Sequence, residues 1–272
     1  MKPSLIKQIC DELAIYQYNE IPVLELNHPV GTAKIALQGA HLFSWQPAHC
    51  KQDVFWLSEI EPFKQGSAIR GGVPICFPWF GNGGTPAHGF ARISLWDLTD
   101  YDIHQDKVKI TLSLLAEDKT AIAKIEMIFS QQCELIFTNY HQNNAQLALH
   151  SYFKVGDIVQ TLLHNLPIST FNQLTQQQET VPSPRSIEEN VDCIYSAENG
   201  ATLIEDKFNQ RIITVEHINA SEIVVWNPWH KPTSSMSDIG YKTMLCVETA
   251  RIKKPLSTDP VGVKIQVKST AV

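Results

Sequence analysis

The sequence lacks the patterns that mark metal and disulfide sites. Its six cysteines contain no CxxC pair, and its ten histidines contain no HxH or HExxH pair. Zinc-ribbon, thioredoxin-like and metallohydrolase classes are therefore not supported, and we expect no metal and no cofactor. Cys76, Cys133 and Cys246 lie in apolar runs, which indicates small buried hydrophobic side chains.

Long apolar runs and an excess of basic residues are also absent. No stretch approaches the ~20 consecutive apolar residues of a membrane span. The first twenty residues contain acids and no apolar core of signal-peptide length. The formal net charge of −6 disfavours general nucleic-acid binding, which needs a basic face. We therefore expect a cytoplasmic monomer without membrane or nucleic-acid partners.

Helical periodicity is almost missing, whereas short alternating segments are frequent. Roughly fourteen candidate strands follow one another with polar turns between them, which is typical of an all-β sandwich or barrel. They include residues 53–57 and 121–129, and none is predicted between residues 163 and 212. One exception is predicted at residues 4–15, where apolar side chains recur at helical spacing behind Ser4 as a possible N-cap. No change in composition divides the chain, so residues 1–272 are predicted to form one domain. The polar segment 172–189 is interpreted as an excursion between strands.

What the sequence does contain is an unusual loop at residues 69–96. Its 28 residues include six glycines, three prolines, two tryptophans and three phenylalanines. Regular helices and strands do not tolerate that much glycine and proline, so we predict a long ordered loop. Arg70 and Arg92 offer paired donors for phosphate or carboxylate, and the aromatic rings offer flat walls. The alternative is a rigid connector that covers one end of a sheet.

Four polar or aromatic residues in otherwise apolar segments are candidates for chemistry. His150 shares a strand face with Ala148 and Tyr152, and its alternative role is a core histidine bonded to a backbone carbonyl. Glu248 lies in an uncharged segment, where burial would raise its pKa towards that of a general base. An ion pair with Arg251 or Arg70 is the alternative. Candidates with weaker signals are Asp192, which could accept hydrogen bonds from substrate hydroxyls or cap a turn, and Trp226, which could stack on a sugar ring or belong to the core.

Taken together, these segments resemble the aldose 1-epimerase superfamily, and within it the hexose-6-phosphate mutarotase (glucose-6-phosphate 1-epimerase) branch. The motifs occur in the family's order between about residues 35 and 251. They read LQGAH from residue 37, AIRGGVP from 68, PWFG from 78, PAHGFAR from 86, HSYF from 150, VWNP from 225, and GYKT from 240 running into CVET from 246.

The resemblance implies a galactose-mutarotase-like β-sandwich, also called a supersandwich, and a metal-free interconversion of the α and β anomers of a hexose 6-phosphate. It implies His150 and Glu248 as the acid–base pair. It further implies that Arg70 and Arg92 contact phosphate and sugar, that His88 lines the sugar site, and that Asp192 holds sugar hydroxyls.

Anomerisation needs two proton transfers, which a carboxylate and an imidazole across a pocket can perform without a cofactor. We predict Glu248 as the base at the C1 hydroxyl and His150 as the acid at the ring oxygen. Two alternatives stay open, a non-catalytic carbohydrate-binding domain and an aldose 1-epimerase for unphosphorylated sugars. The first would need neither His150 nor Glu248.

Overall fold

The computed structural model describes residues 3–140 and 144–270. Within these ranges the chain forms strands, three short 3-10 helices and no α-helix. None of its helices there is long and apolar enough to cross a membrane. The dominance of strands confirms the all-β prediction.

The described residues form three antiparallel sheets. A five-stranded sheet runs in chain order through β1 (Ser4–Gln8), β2 (Leu13–Tyr18), β3 (Ile21–His28), β4 (Gly31–Ala36) and β5 (His41–Pro47). The next sheet has the order β16 (Arg185–Ser186), β13 (Thr161–His164), β18 (Ala201–Asp206), β19 (Arg211–Ile218), β22 (Val261–Ser269), β10 (Gln132–Asn139), β9 (Ala121–Phe129), β8 (Lys107–Leu115) and β7 (Asp97–His104). Because this sheet ends at β16 and β7, it is not closed into a barrel.

The third sheet carries the site described below. Its order is β15 (Gln177–Thr180), β14 (Ser169–Asn172), β17 (Val191–Ser196), β20 (Glu222–Asn227), β21 (Met244–Arg251), β11 (Leu147–Leu149) and β6 (Ile75–Cys76), and β12 (Tyr152–Lys154) also pairs with β21. The 3-10 helices are Ala91–Ile93, Ile158–Gln160 and Gly240–Thr243.

One large apolar core joins the three sheets. It contains side chains such as Leu24 of the first sheet, Ile125 and Val263 of the second, and Val225 and Val247 of the third. Strands that face this core on one side only show period-two burial, as in β9 and β10. The cysteines predicted to be buried, Cys76, Cys133 and Cys246, are fully inaccessible.

The predicted N-terminal helix is wrong. Residues 4–8 and 13–18 form the antiparallel hairpin of β1 and β2. Leu5 and Ile6, which a helix would have placed on its buried face, are 56% and 52% exposed. A twelve-residue helix is marginal on its own. Here the backbone groups of β1 bond to β2, which is held in turn by β3.

Other differences concern short strands. Residues 53–57 were expected to form a strand, but only isolated bridges occur at Phe55 and Leu57. The polar excursion at 172–189 contains β15 and β16, and the strands β14, β17 and β18 near it were not predicted. β15 and β16 have mostly exposed or half-buried side chains, so their sequences carry little apolar alternation. β17 and β18 do alternate in burial, but the polar residues among their side chains mask this in the sequence.

Candidate active site

Strand β21 is buried on both faces, and the two faces differ in kind. Leu245 and Val247 point into the large core between the sheets. Cys246 and Ala250 belong to two small clusters on the other side of the sheet. Since side chains alternate along a strand, Glu248 lies with Cys246 and Ala250 on this second face. We call it the outer face of the third sheet.

His150 lies directly across from Glu248. β11 and β12 pair with β21 in one continuous antiparallel register, so His150, which stands between them, falls opposite Glu248. Its backbone N–H donates to the Pro74 carbonyl at 3.0 Å, which ties this break between the strands to the loop at 69–96. The two side chains meet with Nε2 of His150 3.4 Å from Oε1 of Glu248.

This pair is deeply buried and incompletely bonded. His150 is 8% and Glu248 1% exposed. Nδ1 of the histidine and Oε2 of the carboxylate have no hydrogen-bond partner among the described residues. The arrangement differs from a core histidine bonded to a carbonyl. It also differs from a glutamate–arginine pair, because Arg251 bonds to Asn219 and to backbone carbonyls instead.

Burial shifts both groups towards their neutral forms. It raises the pKa of Glu248 well above its usual value, and the nearby carboxylate of Asp192 raises this pKa further. Burial lowers the pKa of His150 well below its usual value, with smaller contributions from His88, Arg70 and Arg92. The two groups are therefore suited to share one proton over a wide pH range.

Aromatic rings surround His150 on the outer face. Tyr152 stacks on its imidazole with the ring centroids 4.7 Å apart and an interplanar angle of 7°. Trp226 meets the same imidazole edge-on at 6.1 Å. Trp226 is half-buried, so part of its indole stays available to a ligand. Trp56 stacks on Tyr152 from the far side at 6.0 Å. The orientation of His150 is fixed by these contacts.

Arg70 reaches the site through Tyr152. Its Nη1 donates to the Tyr152 hydroxyl at 2.9 Å, while Nε and Nη2 donate to the carbonyl and the hydroxyl of Ser234, both at 3.0 Å. Tyr152 thus touches both an arginine and the histidine. Sequence reasoning did not select Tyr152 or Ser234 as site residues, although Tyr152 lies in the HSYF motif.

His88 and Arg92 come from the second half of the same loop. The His88 ring lies 6.0 Å from that of His150, and its Nδ1 accepts the backbone N–H of Gly81 at 3.2 Å. This bond places the proton of the neutral imidazole on Nε2. Burial, with smaller contributions from Arg92 and Arg70, lowers the pKa of His88 to about 4. Arg92 is held by the carbonyl that precedes His88, at 2.9 Å.

Asp192 approaches from the opposite edge of the outer face. On β17 it lies opposite Trp226 of β20, and its Oδ1 accepts Nε2 of Gln173 at 2.6 Å. Burial raises the pKa of this carboxyl, and Gln173 and Lys231 oppose that shift. Asp192 in turn raises the pKa of Glu248. Gln173 is a further neighbour that the sequence did not reveal.

The loop at 69–96 is compact and brings its side chains to the site. Gly89 has φ +77°, and a Cβ there would lie 2.0 Å from the carbonyl oxygen of Phe77. The chain is therefore folded tightly upon itself at this turn. With Arg70, His88 and Arg92 all joined to the His150 environment, the loop is part of the candidate site as well as a cover for the sheet end.

The structure brings the six predicted residues, His150, Glu248, Arg70, His88, Arg92 and Asp192, into one electrostatic network on the outer face. Within the described ranges no three His, Cys, Asp or Glu side chains form a group that could hold a metal ion. An acid–base pair bordered by aromatic rings and arginines is an arrangement suited to proton transfer on a polar, anionic ligand.

The fold is that of the galactose mutarotase-like proteins. A structure of such a protein from Lactobacillus casei superposes with a TM-score of 0.65 at 16% identity, covering 90% of this chain and 100% of its own. At this identity the likeness concerns the fold alone. It defines the class of architecture to which the three sheets belong.

The chain belongs to the aldose 1-epimerase family, whose sequence model matches residues 22–270. A relative from Haemophilus influenzae, named "Putative glucose-6-phosphate 1-epimerase", is 53% identical over 93% of each chain. The crystal structure of a "putative mutarotase" from Salmonella typhimurium superposes with a TM-score of 0.92 at 30% identity, covering 98% of this chain and 97% of its own. The family predicted from the motifs is thereby confirmed.

Proposed function

We propose that this protein is a hexose-6-phosphate mutarotase that interconverts the α and β anomers of glucose 6-phosphate. The observation that carries the proposal is the buried pair of His150 and Glu248, with Nε2 and Oε1 3.4 Å apart beside two arginines. Membership of the aldose 1-epimerase family and the name of the relative from Haemophilus influenzae support the same reaction.

The chemistry follows from what ring opening requires. Glu248 takes the proton of the C1 hydroxyl while His150 gives a proton to the ring oxygen O5. The C1–O5 bond breaks, the C1–O1 bond becomes a carbonyl, and the aldehyde end rotates about C1–C2. Reclosure on the other face reverses both transfers and gives the other anomer.

The proton count explains the environment of the pair. Before ring opening the shared proton belongs to His150, and after it to Glu248, so the pair as a whole neither gains nor loses a proton. With the proton on His150 both groups are charged, and with the proton on Glu248 both are neutral. Burial disfavours the charged form of each group, which brings these two arrangements closer in free energy. Each transfer is expected to contribute about 10²–10⁴-fold, which suffices for a sugar that already opens slowly in water.

The remaining residues would bind the substrate. Arg70 and Arg92 would hold the 6-phosphate through charge-assisted hydrogen bonds, and thereby fix the position of the ring over the acid–base pair. His88, with its proton on Nε2, and Asp192, an acceptor, would hold sugar hydroxyls. The half-buried indole of Trp226 would lie against an apolar face of the ring.

NMR exchange spectroscopy on equilibrated sugars tests the proposal. Exchange between the two anomeric protons should accelerate with added protein for glucose 6-phosphate, and far less for free glucose or galactose. Equal acceleration for free and phosphorylated sugars would favour an epimerase for unphosphorylated aldoses. Ligand binding without acceleration would favour a carbohydrate-binding domain. The monomeric state, the cytoplasmic location and the single domain over residues 1–272 stay predictions.

A further inference from the structure

Segment 229–240 follows β20 and passes beside Arg70. Ser234 in this segment accepts two hydrogen bonds from the guanidinium, one at its backbone carbonyl and one at its hydroxyl. Met236 packs against the buried cluster that contains Trp56 and Tyr152, and Ser237 hydrogen-bonds to Glu59. The segment is thus anchored beside the aromatic wall of the site, and Ser234 is the part of it that faces Arg70.

The hydrogen-bond inventory of Arg70 leaves donors for a ligand. A guanidinium has five N–H groups. In the described part of the chain three of them are used, one on each nitrogen, by Ser234 twice and by Tyr152 once. One N–H on Nη1 and one on Nη2 therefore stay without a protein partner, and both belong to a cation whose position is fixed.

The hydroxyl of Ser234 also has a hydrogen available for a ligand. It accepts the Nη2 hydrogen of Arg70 at 3.0 Å, so its own hydrogen is free to donate elsewhere. The hydroxyl of Ser234 donates no hydrogen bond to a described residue, and Ser234 is exposed. A phosphoryl group has three terminal oxygens that accept strong hydrogen bonds. Two arginine donors and one serine donor next to each other match that requirement.

We propose that Ser234 is a specificity-determining residue that fixes Arg70 and donates its hydroxyl hydrogen to the 6-phosphate of the substrate. The inference rests on the proposed function and adds a residue from a segment outside the loop at 69–96. It assigns Ser234 to substrate binding and not to proton transfer, because Ser234 is connected to His150 only through Arg70 and Tyr152.

The test compares Ser234→Ala, Ser234→Thr and the neighbouring Ser235→Ala by anomer exchange on glucose 6-phosphate and on free glucose. Ser235 makes no side-chain hydrogen bond to Arg70, so its variant controls for changes in the segment itself. Ser234→Ala removes both the bond from Arg70 and the proposed bond to the phosphate, and should raise KM for glucose 6-phosphate at least about tenfold with kcat within about twofold. KM for glucose should not change. Ser234→Thr keeps the hydroxyl and should restore most of the affinity, and Ser235→Ala should behave as wild type.

The inference is overturned if Ser234→Ala leaves KM for glucose 6-phosphate unchanged, or raises KM for both sugars alike. A loss confined to kcat also contradicts it. If the unaltered protein does not accelerate exchange of glucose 6-phosphate, the proposed function itself fails, and the role of Ser234 fails with it. An active wild type with an indifferent Ser234→Ala variant removes the serine role alone. Thermal unfolding of each variant shows whether the fold is retained.

Discussion

The exchange of Glu248 for glutamine tests the assigned base with the least disturbance of the structure. Glutamine has nearly the same volume as glutamate and fits a position that is 1% exposed. Its amide can still meet Nε2 of His150 across the 3.4 Å that separates the two groups. What the variant loses is the ability to accept and release a proton.

The expected loss of activity is large. If Glu248 removes the proton from the C1 hydroxyl, kcat should fall by about 10²–10⁴-fold. This range corresponds to about 3–5.5 kcal/mol in the activation free energy. KM should change little, because Arg70 and Arg92, which are expected to hold the phosphate, are not altered.

The same variant should be more stable than wild type at neutral pH. Burial raises the pKa of Glu248 in the folded state above its value in the unfolded chain. The stability contributed by this group is therefore fully present below about pH 4.3 and is lost as the pH rises through the folded-state pKa. Glutamine does not titrate, so the variant avoids this loss. The difference in melting temperature should grow in its favour from about pH 4.3 upwards.

A matched control is offered by the second histidine–glutamate pair of this chain. Nε2 of His164 on β13 lies 2.8 Å from Oε2 of Glu205 on β18, both in the second sheet, and the two side chains are 34% and 33% exposed. Glu205→Gln should affect neither kcat nor the pH dependence of stability to a comparable degree. NMR exchange rates and thermal unfolding between pH 4 and pH 8 measure both effects. Near-normal kcat in Glu248→Gln would refute the assignment of the base.

Three further predictions follow from the geometry. Arg92→Ala should raise KM for glucose 6-phosphate about tenfold or more and KM for glucose far less, and an equal rise for both sugars would contradict its phosphate role. Tyr152→Phe should also raise KM for the phosphorylated sugar while kcat is retained, because the ring still stacks on His150 and only the bond to Arg70 is lost; a fall in kcat alone would show that this stacking is disturbed. The pair acts with one shared proton, so kcat/KM should fall at low pH where His150 and Glu248 are both protonated. Because the pKa of His150 is lowered, this acidic limb should lie below pH 6.5, and a limb at or above pH 6.5 would contradict the shift. The profile is measured with free glucose to avoid titration of the phosphate near pH 6.

Much of the fold was accessible from local pattern. β9 was predicted with its observed bounds, and its burial alternates without interruption in the structure. The hairpin of β1 and β2 was misassigned because Leu5 and Ile6 fit a helical spacing but are exposed in the structure. β17 was overlooked for a different reason, because Asp192 interrupts its apolar character.

For the site, isolated polar residues in apolar segments led to His150 and Glu248, which lie side by side in the structure. His150 and Glu248 were selected because burial of such groups is costly unless they have a partner or a role. That they face each other depends on the register of β11, β12 and β21, which no local pattern contains. The contacts of Arg70 with Tyr152 and Ser234 join distant parts of the chain, so neither residue could be linked to Arg70 from the sequence.

The two faces of β21 allow stability and substrate selection to be altered separately. Positions 245 and 247 contact the apolar core, so substitutions there change the free energy of unfolding. Cys246 lies opposite Trp226, which in turn lies opposite Asp192, and together they form a row across three strands on the outer face. Trp226 and Asp192 are only half-buried, so a protein engineer could randomise these two positions to accept a different sugar. The buried Cys246 and the core half of β21 would stay untouched.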